Sequence, residues 1–426
     1  MNILHINYSD HEGGAAIAAY RLHIAMCNHG MNSSLLVIDK KRQDKQVYSI
    51  TKRQKFFNKI FQRLTAKLLK GKIKYGAFSI NLFGADITNN PLVKKADIIY
   101  LHWINKDFLS LNDLRKLLQL QKPVIFYMHD MWSITGGCHH SLNCKKYETQ
   151  CQKCPLLSSH IDLAKIVFNK KYKSIQNYSQ HIHVISPSNW LGNLVQNSNI
   201  FKNVKITIIH NVINHDIFKL VDPEAARSFL NIPNDPTKIR LTFGAATGGT
   251  NNPYKGWNNI VESLKLLDEN KYEIIIFGES DEETLSKTFK QRIYFLGPLT
   301  DEYTLSCLYN ATDILLVPSI AENYPNIILE SLSCGTPVVA MNVGGIPDLI
   351  DHKINGYLCN PMENNGLIEG IYYIEQLYND SDRSNIKESI YNSSLKKFST
   401  SQIIEQHKKL IKYSNHSIFR LDTHVP

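Results

Sequence analysis

Residues 314–340, ILLVPSIAENYPNIILESLSCGTPVVA, constrain the fold more than any other part of the chain. Ile314–Val317 is an unbroken apolar run of strand length. Residues 318–326 hold two prolines and several polar side chains, residues 327–333 read as a short helix, and residues 337–340 make a second apolar strand. A strand, loop, helix and strand in so short a span form a unit of a parallel sheet. In such sheets ligands sit beyond the carboxyl ends of the strands, which here means the 318–326 loop. Two carboxylates serve that place, Glu322 in the loop and Glu330 one turn into the helix. Each can accept paired hydrogen bonds from neighbouring hydroxyls of a sugar or ribose, and the amides at the helix start, Asn326 and Ile327, suit a phosphate. The spacing alone also fits two solvated glutamates beside an ordinary sheet.

The residues beyond Glu330 separate these readings. Glu322-x7-Glu330, the run Cys334-Gly335-Thr336-Pro337-Val338-Val339-Ala340 and the pair Gly344-Gly345 together resemble the donor-site signature of the family-4 retaining glycosyltransferases, the glycosyl transferases group 1 of bacterial polysaccharide biosynthesis. The resemblance implies an α/β chain of GT-B fold, two Rossmann-like domains facing across a cleft. It also implies a metal-independent hexosyltransferase that moves a sugar from a nucleotide-diphosphate sugar to a saccharide acceptor, lipid-linked, in the synthesis of capsule, exopolysaccharide or O-antigen.

The totals agree with two domains. A chain of 426 residues is too long for one ordinary core. The start, MNILHIN, reads as a first strand and not as a signal peptide, and no apolar run reaches the roughly 20 residues that span a bilayer. A cytoplasmic protein is expected, with its eight cysteines reduced. The net charge of +10 calls for an anionic partner: nucleic acid, anionic lipid or a phosphorylated substrate. No nucleic-acid recognition motif accompanies it.

Along the first domain, residues 1–210, the first strand runs into Gly13-Gly14 and then a helix. A glycine pair there lets backbone approach a ligand closely, and it is also the chemistry of any tight turn. By resemblance, Gly13 and Gly14 lie near the donor phosphates. Residues 52–74 alternate basic and apolar side chains at helical spacing, with Phe56, Phe57, Ile60, Phe61, Leu64, Leu68 and Leu69. That pattern fits a helix on an anionic membrane face, peripheral on the inner side of the cell membrane, and fits equally a covering helix with a solvated basic face. Two later strands each end in a histidine, His102 and His129. His129, in a His-Asp pair, matches the family's near-catalytic contact to the donor sugar; a lone histidine is more often structural.

Residues 131–155 hold Cys138, Cys144, Cys151 and Cys154 with Gly136-Gly137, His139 and His140. Four thiolates satisfy a tetrahedral zinc, so a structural zinc is expected on the four cysteines, with His139 or His140 as substitute ligand. Only Cys151-x2-Cys154 has a common zinc-knuckle spacing; packing is the other reading.

The segment 210–218, HNVINHDIF, resembles the family's interdomain stretch, with Asn214 where an aspartate is common, and the second domain spans 211–398. There Lys255-Gly256 matches the family's diphosphate-clamping lysine. The accompanying arginine is missing, Ala245 and Ala246 standing in its place; amides of Gly248, Gly249 and Thr250, or a basic residue from elsewhere, would have to substitute. Backbone after the strand ending at Gly297-Pro298-Leu299 would meet the base, Glu330 the ribose, and Glu322 with His129 the transferred sugar. Asp380-Ser381-Asp382 reads as a turn between two helices, and residues 399–426 as a last helix and tail crossing back to the first domain. Two rival functions stay open on this fold: a non-catalytic sugar-nucleotide-binding subunit, which the missing arginine favours, and another chemistry such as a sugar-nucleotide epimerase or a phosphorylase.

Overall fold

The computed structural model describes residues 1–245, 254–363 and 365–417. The chain forms two units, Met1–Val212 with Thr400–Pro426, and Ile213–Ser399. Each is built on one parallel sheet.

The first sheet has seven strands: β1 (Asn2–Ile6), β2 (Asn32–Val37), β3 (Val47–Ser49), β4 (Ile98–Leu101), β5 (Val124–Tyr127), β6 (Ile182–Ser186) and β7 (Lys205–Ile208), in the order β3-β2-β1-β4-β5-β6-β7. Helices α1 (Gly14–Asn28), α2 (Lys52–Leu69), α3 (Pro91–Lys95), α4 (Leu111–Gln119), α5 (Leu163–Gln176) and α6 (Asn189–Asn197) connect them. β4 and β5 are buried at every position, the near-continuous apolar pattern of strands covered on both faces.

The second sheet has six: β8 (Ile239–Ala245), β9 (Tyr272–Gly278), β10 (Ile293–Gly297), β11 (Ile314–Val317), β12 (Val338–Met341) and β13 (Gly356–Cys359), in the order β10-β9-β8-β11-β12-β13. Its helices are α7 (Pro223–Phe229), α8 (Trp257–Leu264), α9 (Glu282–Thr288), α10 (Glu302–Ala311), α11 (Asn326–Ser333), α12 (Gly366–Asp380) and α13 (Arg383–Lys397). Asp382 caps α13 by accepting from the Ser384 amide at 2.8 Å, so the Asp380–Asp382 triplet is a helix junction. The last helix, α14 (Thr400–Ser417), packs Ile403, Ile404 and Ile411 against β1, β4 and β5 residues Ile3, Tyr100 and Ile125.

Strand order reverses between β1 and β4 in the first sheet and between β8 and β11 in the second. Open parallel sheets bind ligands outside the carboxyl ends of strands at such a switch point.

Candidate active site

At the switch point of the second sheet, the loop 318–326 leaves β11 and is gripped from two sides. Ile320 donates its amide to the Tyr254 carbonyl at 2.8 Å, and the Gly345 amide reaches the Glu322 carbonyl at 3.2 Å. Both grips use glycines at positive φ. A Cβ on Gly256 (φ 64°) would lie 1.8 Å from the Pro318 carbonyl oxygen, and one on Gly344 (φ 57°) 1.8 Å from that of Glu322, so no other residue fits either place without moving the loop. The result is that Lys255 and Glu322 are brought together: the ammonium pairs with Glu322 Oε1, which also accepts from Ser319 Oγ at 3.1 Å. Their side chains are 31% and 15% exposed, so the pair stands at a mouth and not in the core.

Behind the pair, Phe243, Gly244, Lys255, Trp257, Pro318 and Ile327 line a cavity between the carboxyl ends of β8 and β11. Asn326 and Ile327 open α11 there. Glu330 sits one turn further in, only 2% exposed, and its Oε2 accepts from the buried Tyr309 hydroxyl at 2.7 Å. Gly297 ends β10 in the left-handed region (φ 61°), with open space where a Cβ would stand, and Leu299 packs in the same small cluster as Ile327.

Arg240 does not replace the absent phosphate arginine. It lies near the amino end of β8, 1% exposed, its Nε 3.3 Å from Glu273 Oε2 and its Nη2 donating to the carbonyls of Pro233 and Asp235. Ala246, Gly248, Gly249 and Thr250, where sequence sought the substitute, lie outside the described residues.

In the first unit Gly13 (φ 87°) precedes α1 with no atom within 4 Å of a would-be Cβ, which leaves open space beside its backbone. Across the same sheet edge runs a row of imidazoles. His5 Nδ1 is 2.9 Å from His102 Nε2, and His102 Nδ1 is 2.9 Å from His129 Nε2. Burial lowers His129 to about 4, against the raising effect of Asp130. Sequence reading singled out His129 and His102 separately; that His5 joins them from the interior of β1 had no signal in the spacing.

All four thiols of the cysteine loop, Cys138, Cys144, Cys151 and Cys154, line one small cavity, and among the described residues no three of their sulfurs lie within 4.8 Å of one another. His139 pairs Nδ1 with Asp130 at 2.6 Å and Nε2 with Ser79 Oγ at 2.9 Å. Burial pushes the Cys138 and Cys151 thiols up to about 12. Lys171 of α5 also ties the loop. Fully buried, it donates to the carbonyls of Trp132 and Thr135 (3.1 Å for the latter), with its ammonium 3.6 Å over the Trp132 ring.

Helix α2 buries a mixed face: Leu69 joins the core, Phe61 stacks on Phe83, Asn58 donates to the Asp107 carbonyl at 2.6 Å and Gln62 to the Tyr8 hydroxyl at 2.9 Å. Phe56, Phe57, Leu64 and Leu68 face solvent at 61%, 40%, 47% and 38% exposure, among the exposed cations Lys52, Arg53, Lys59, Arg63 and Lys67 and without one acidic residue.

With this geometry in view, comparison with known proteins defines the class. Residues 243–377 match the family described as glycosyl transferases group 1. The putative colanic acid biosynthesis glycosyl transferase WcaC of Escherichia coli K12 is 27% identical over 359 residues, covering 80% of this chain and 83% of that one. HepE of Anabaena, solved in complex with UDP, superposes with a TM-score of 0.62 at 16% identity, over 97% of this chain and 100% of that one. The catalytic domain of starch synthase IV from Arabidopsis thaliana, bound to ADP and acarbose, gives 0.65 at 13% identity, over 99% and 100%. The fold is GT-B, two parallel-sheet Rossmann-like domains. The second of them carries the match to glycosyl transferases group 1, and the Lys255–Glu322 pair lies within it.

Proposed function

We propose that the protein is a retaining hexosyltransferase that takes a sugar from a nucleotide-diphosphate sugar and delivers it to a saccharide acceptor in surface-polysaccharide synthesis. One observation carries the reading: a lysine and a glutamate are held together by two close-approach glycines at the switch point of a parallel sheet. Lys255 is the cation for the diphosphate, aided by the amides opening α11 at Asn326 and Ile327. Glu322 and His129 orient the transferred sugar, Glu330 holds the ribose, and backbone at Gly297 and Leu299 meets the base.

The reaction breaks the bond from the anomeric carbon to the β-phosphate oxygen and forms one from that carbon to an acceptor hydroxyl oxygen on the same face. The acceptor proton passes to the departing phosphate oxygen. Charge grows on the diphosphate as its bond breaks, so Lys255 acts most strongly in the transition state. UDP and UDP-glucose, bound by the HepE neighbour, are the first donors to try.

The acceptor reading is a lipid-linked saccharide, and α2 supports it. No helix among the described residues is long and apolar enough to cross a membrane. An exposed apolar stripe among cations instead suits the face of an anionic bilayer, with Phe and Leu side chains in the acyl boundary and Lys and Arg at the headgroups.

Incubation with a panel of nucleotide sugars, monitoring nucleotide release with and without membrane extract as acceptor, tests the reading. Release from one donor, slowed roughly a hundredfold in Lys255→Ala, is expected. Release equal in Lys255→Ala would remove the lysine from the site, and binding without any release would favour a sugar-nucleotide-binding subunit.

A further inference from the structure

The three imidazoles at the edge of the first sheet are joined end to end, and that joining restricts where their protons can be. A neutral imidazole has one donor nitrogen and one acceptor. With His5 Nδ1 against His102 Nε2 and His102 Nδ1 against His129 Nε2, only two neutral arrangements satisfy both links. In one, every ring carries its proton on Nδ1 and donates toward His129. In the other, every ring carries it on Nε2 and donates toward His5.

The inner end of the row chooses between them. His5 is 0% exposed and its Nε2 has no hydrogen-bond partner. In the second arrangement that atom is a buried N–H with nothing to receive it; in the first it is a bare lone pair. Orphaned buried N–H groups are the rarer of the two in folded proteins. We infer that His5 and His102 are positioning residues that hold His129 in the Nδ1-protonated form, with its Nε2 occupied by the His102 proton.

The surroundings keep the row uncharged. His23 from α1 and His407 from α14 lie beside His5, and the Tyr100 and Tyr127 rings lie against His102 at centroid distances of 6.3 and 5.2 Å. Asp130 is the carboxylate whose charge opposes the effect of burial at His129, and its own Oδ2 accepts from His139 at 2.6 Å and from Trp103 Nε1 at 3.0 Å. Burial puts His5 and His102 well below the ordinary histidine range. A sugar meeting His129 would thus find a neutral ring whose proton is at one defined nitrogen. A lone histidine would offer a mixture of tautomers and, near pH 6.5, of charges.

The inference rests on the reading of His129 as a sugar contact only for its consequence in catalysis; the row itself can be observed without any turnover. Nitrogen-15 spectra of imidazole-labelled protein, assigned with His129→Asn, should show His129 with a protonated Nδ1 and a bare Nε2 throughout pH 6 to 8. In His102→Phe, whose ring keeps the stacking and the burial, the His129 signals should average toward both tautomers. If transfer is detected, the same variant should lower kcat at least severalfold with KM for the donor unchanged. A wild-type His129 protonated on Nε2 would overturn the proposal. So would signals identical in wild type and His102→Phe, whether or not the protein transfers sugar. Should His102→Phe fail to fold, the wild-type spectrum alone decides the direction of the row.

Discussion

At the carboxyl edge of the second sheet a lysine and a glutamate meet partly in solvent; at the same edge of the first, three histidines are buried against one another. Both edges present polar groups at a switch point, and each treats charge differently. A full ion pair is kept where water can reach it, because burying it would cost several kcal/mol per ion. The imidazoles can be buried because they give up their charge and satisfy each other. The second edge is thus built to meet charge, and the first to place a neutral donor.

Acid should separate the two edges most strongly. Burial holds His23 and His129 at about 4 and His5 and His102 well below 6.5, whereas the unfolded chain takes up these protons near 6.5. The unfolded state therefore binds more protons between pH 6.5 and 4. Stability of the first unit is intact above 6.5 and is lost progressively as pH falls through that window. Hydrogen exchange corrected for intrinsic rates should show β1, β4 and β5 opening below pH 6 while β11 and β12 stay protected. Equal loss in both sheets would break the comparison.

A smaller effect sharpens it. Because Lys255 and Glu322 are partly exposed, Glu322→Gln should change the thermal midpoint by no more than about 1 kcal/mol of stability while cutting turnover. A loss of several kcal/mol with normal turnover would make the pair a structural bridge. The smallest expected effect concerns α2: binding to anionic vesicles should be weak, fall at high salt, and fall further in Phe57→Ser with Leu64→Ser. Binding that ignores both salt and the substitutions would assign the surface to something other than lipid.

Much of the second unit could be read from the chain because its signals are local. The apolar run Ile314–Val317 is β11 to the residue, and the helix and strand after it lie within a residue of their places. Glycines 256 and 344 stood out as parts of motifs, although the 1.8 Å approaches that require them appear only in three dimensions. What escaped the sequence depends on distant partners. Short β3 and helices α5, α6, α7, α9 and α10 were not separated from their surroundings. Lys171, more than fifteen residues beyond the last cysteine, carries no mark of its role in the loop. A buried lysine meeting backbone carbonyls ties the loop through contacts that spacing cannot show. His5 was similarly hidden, one residue of an ordinary β1 strand.

The central claim is that Lys255, Glu322 and the start of α11 form a nucleotide-sugar site. Hydrogen exchange with and without each member of a nucleotide-sugar panel, UDP-glucose first, tests it most directly. One donor should protect amides in 254–256 and 318–330, and Lys255→Ala should weaken that donor's binding at least tenfold. Protection confined to other segments, or binding unchanged by Lys255→Ala, would contradict it.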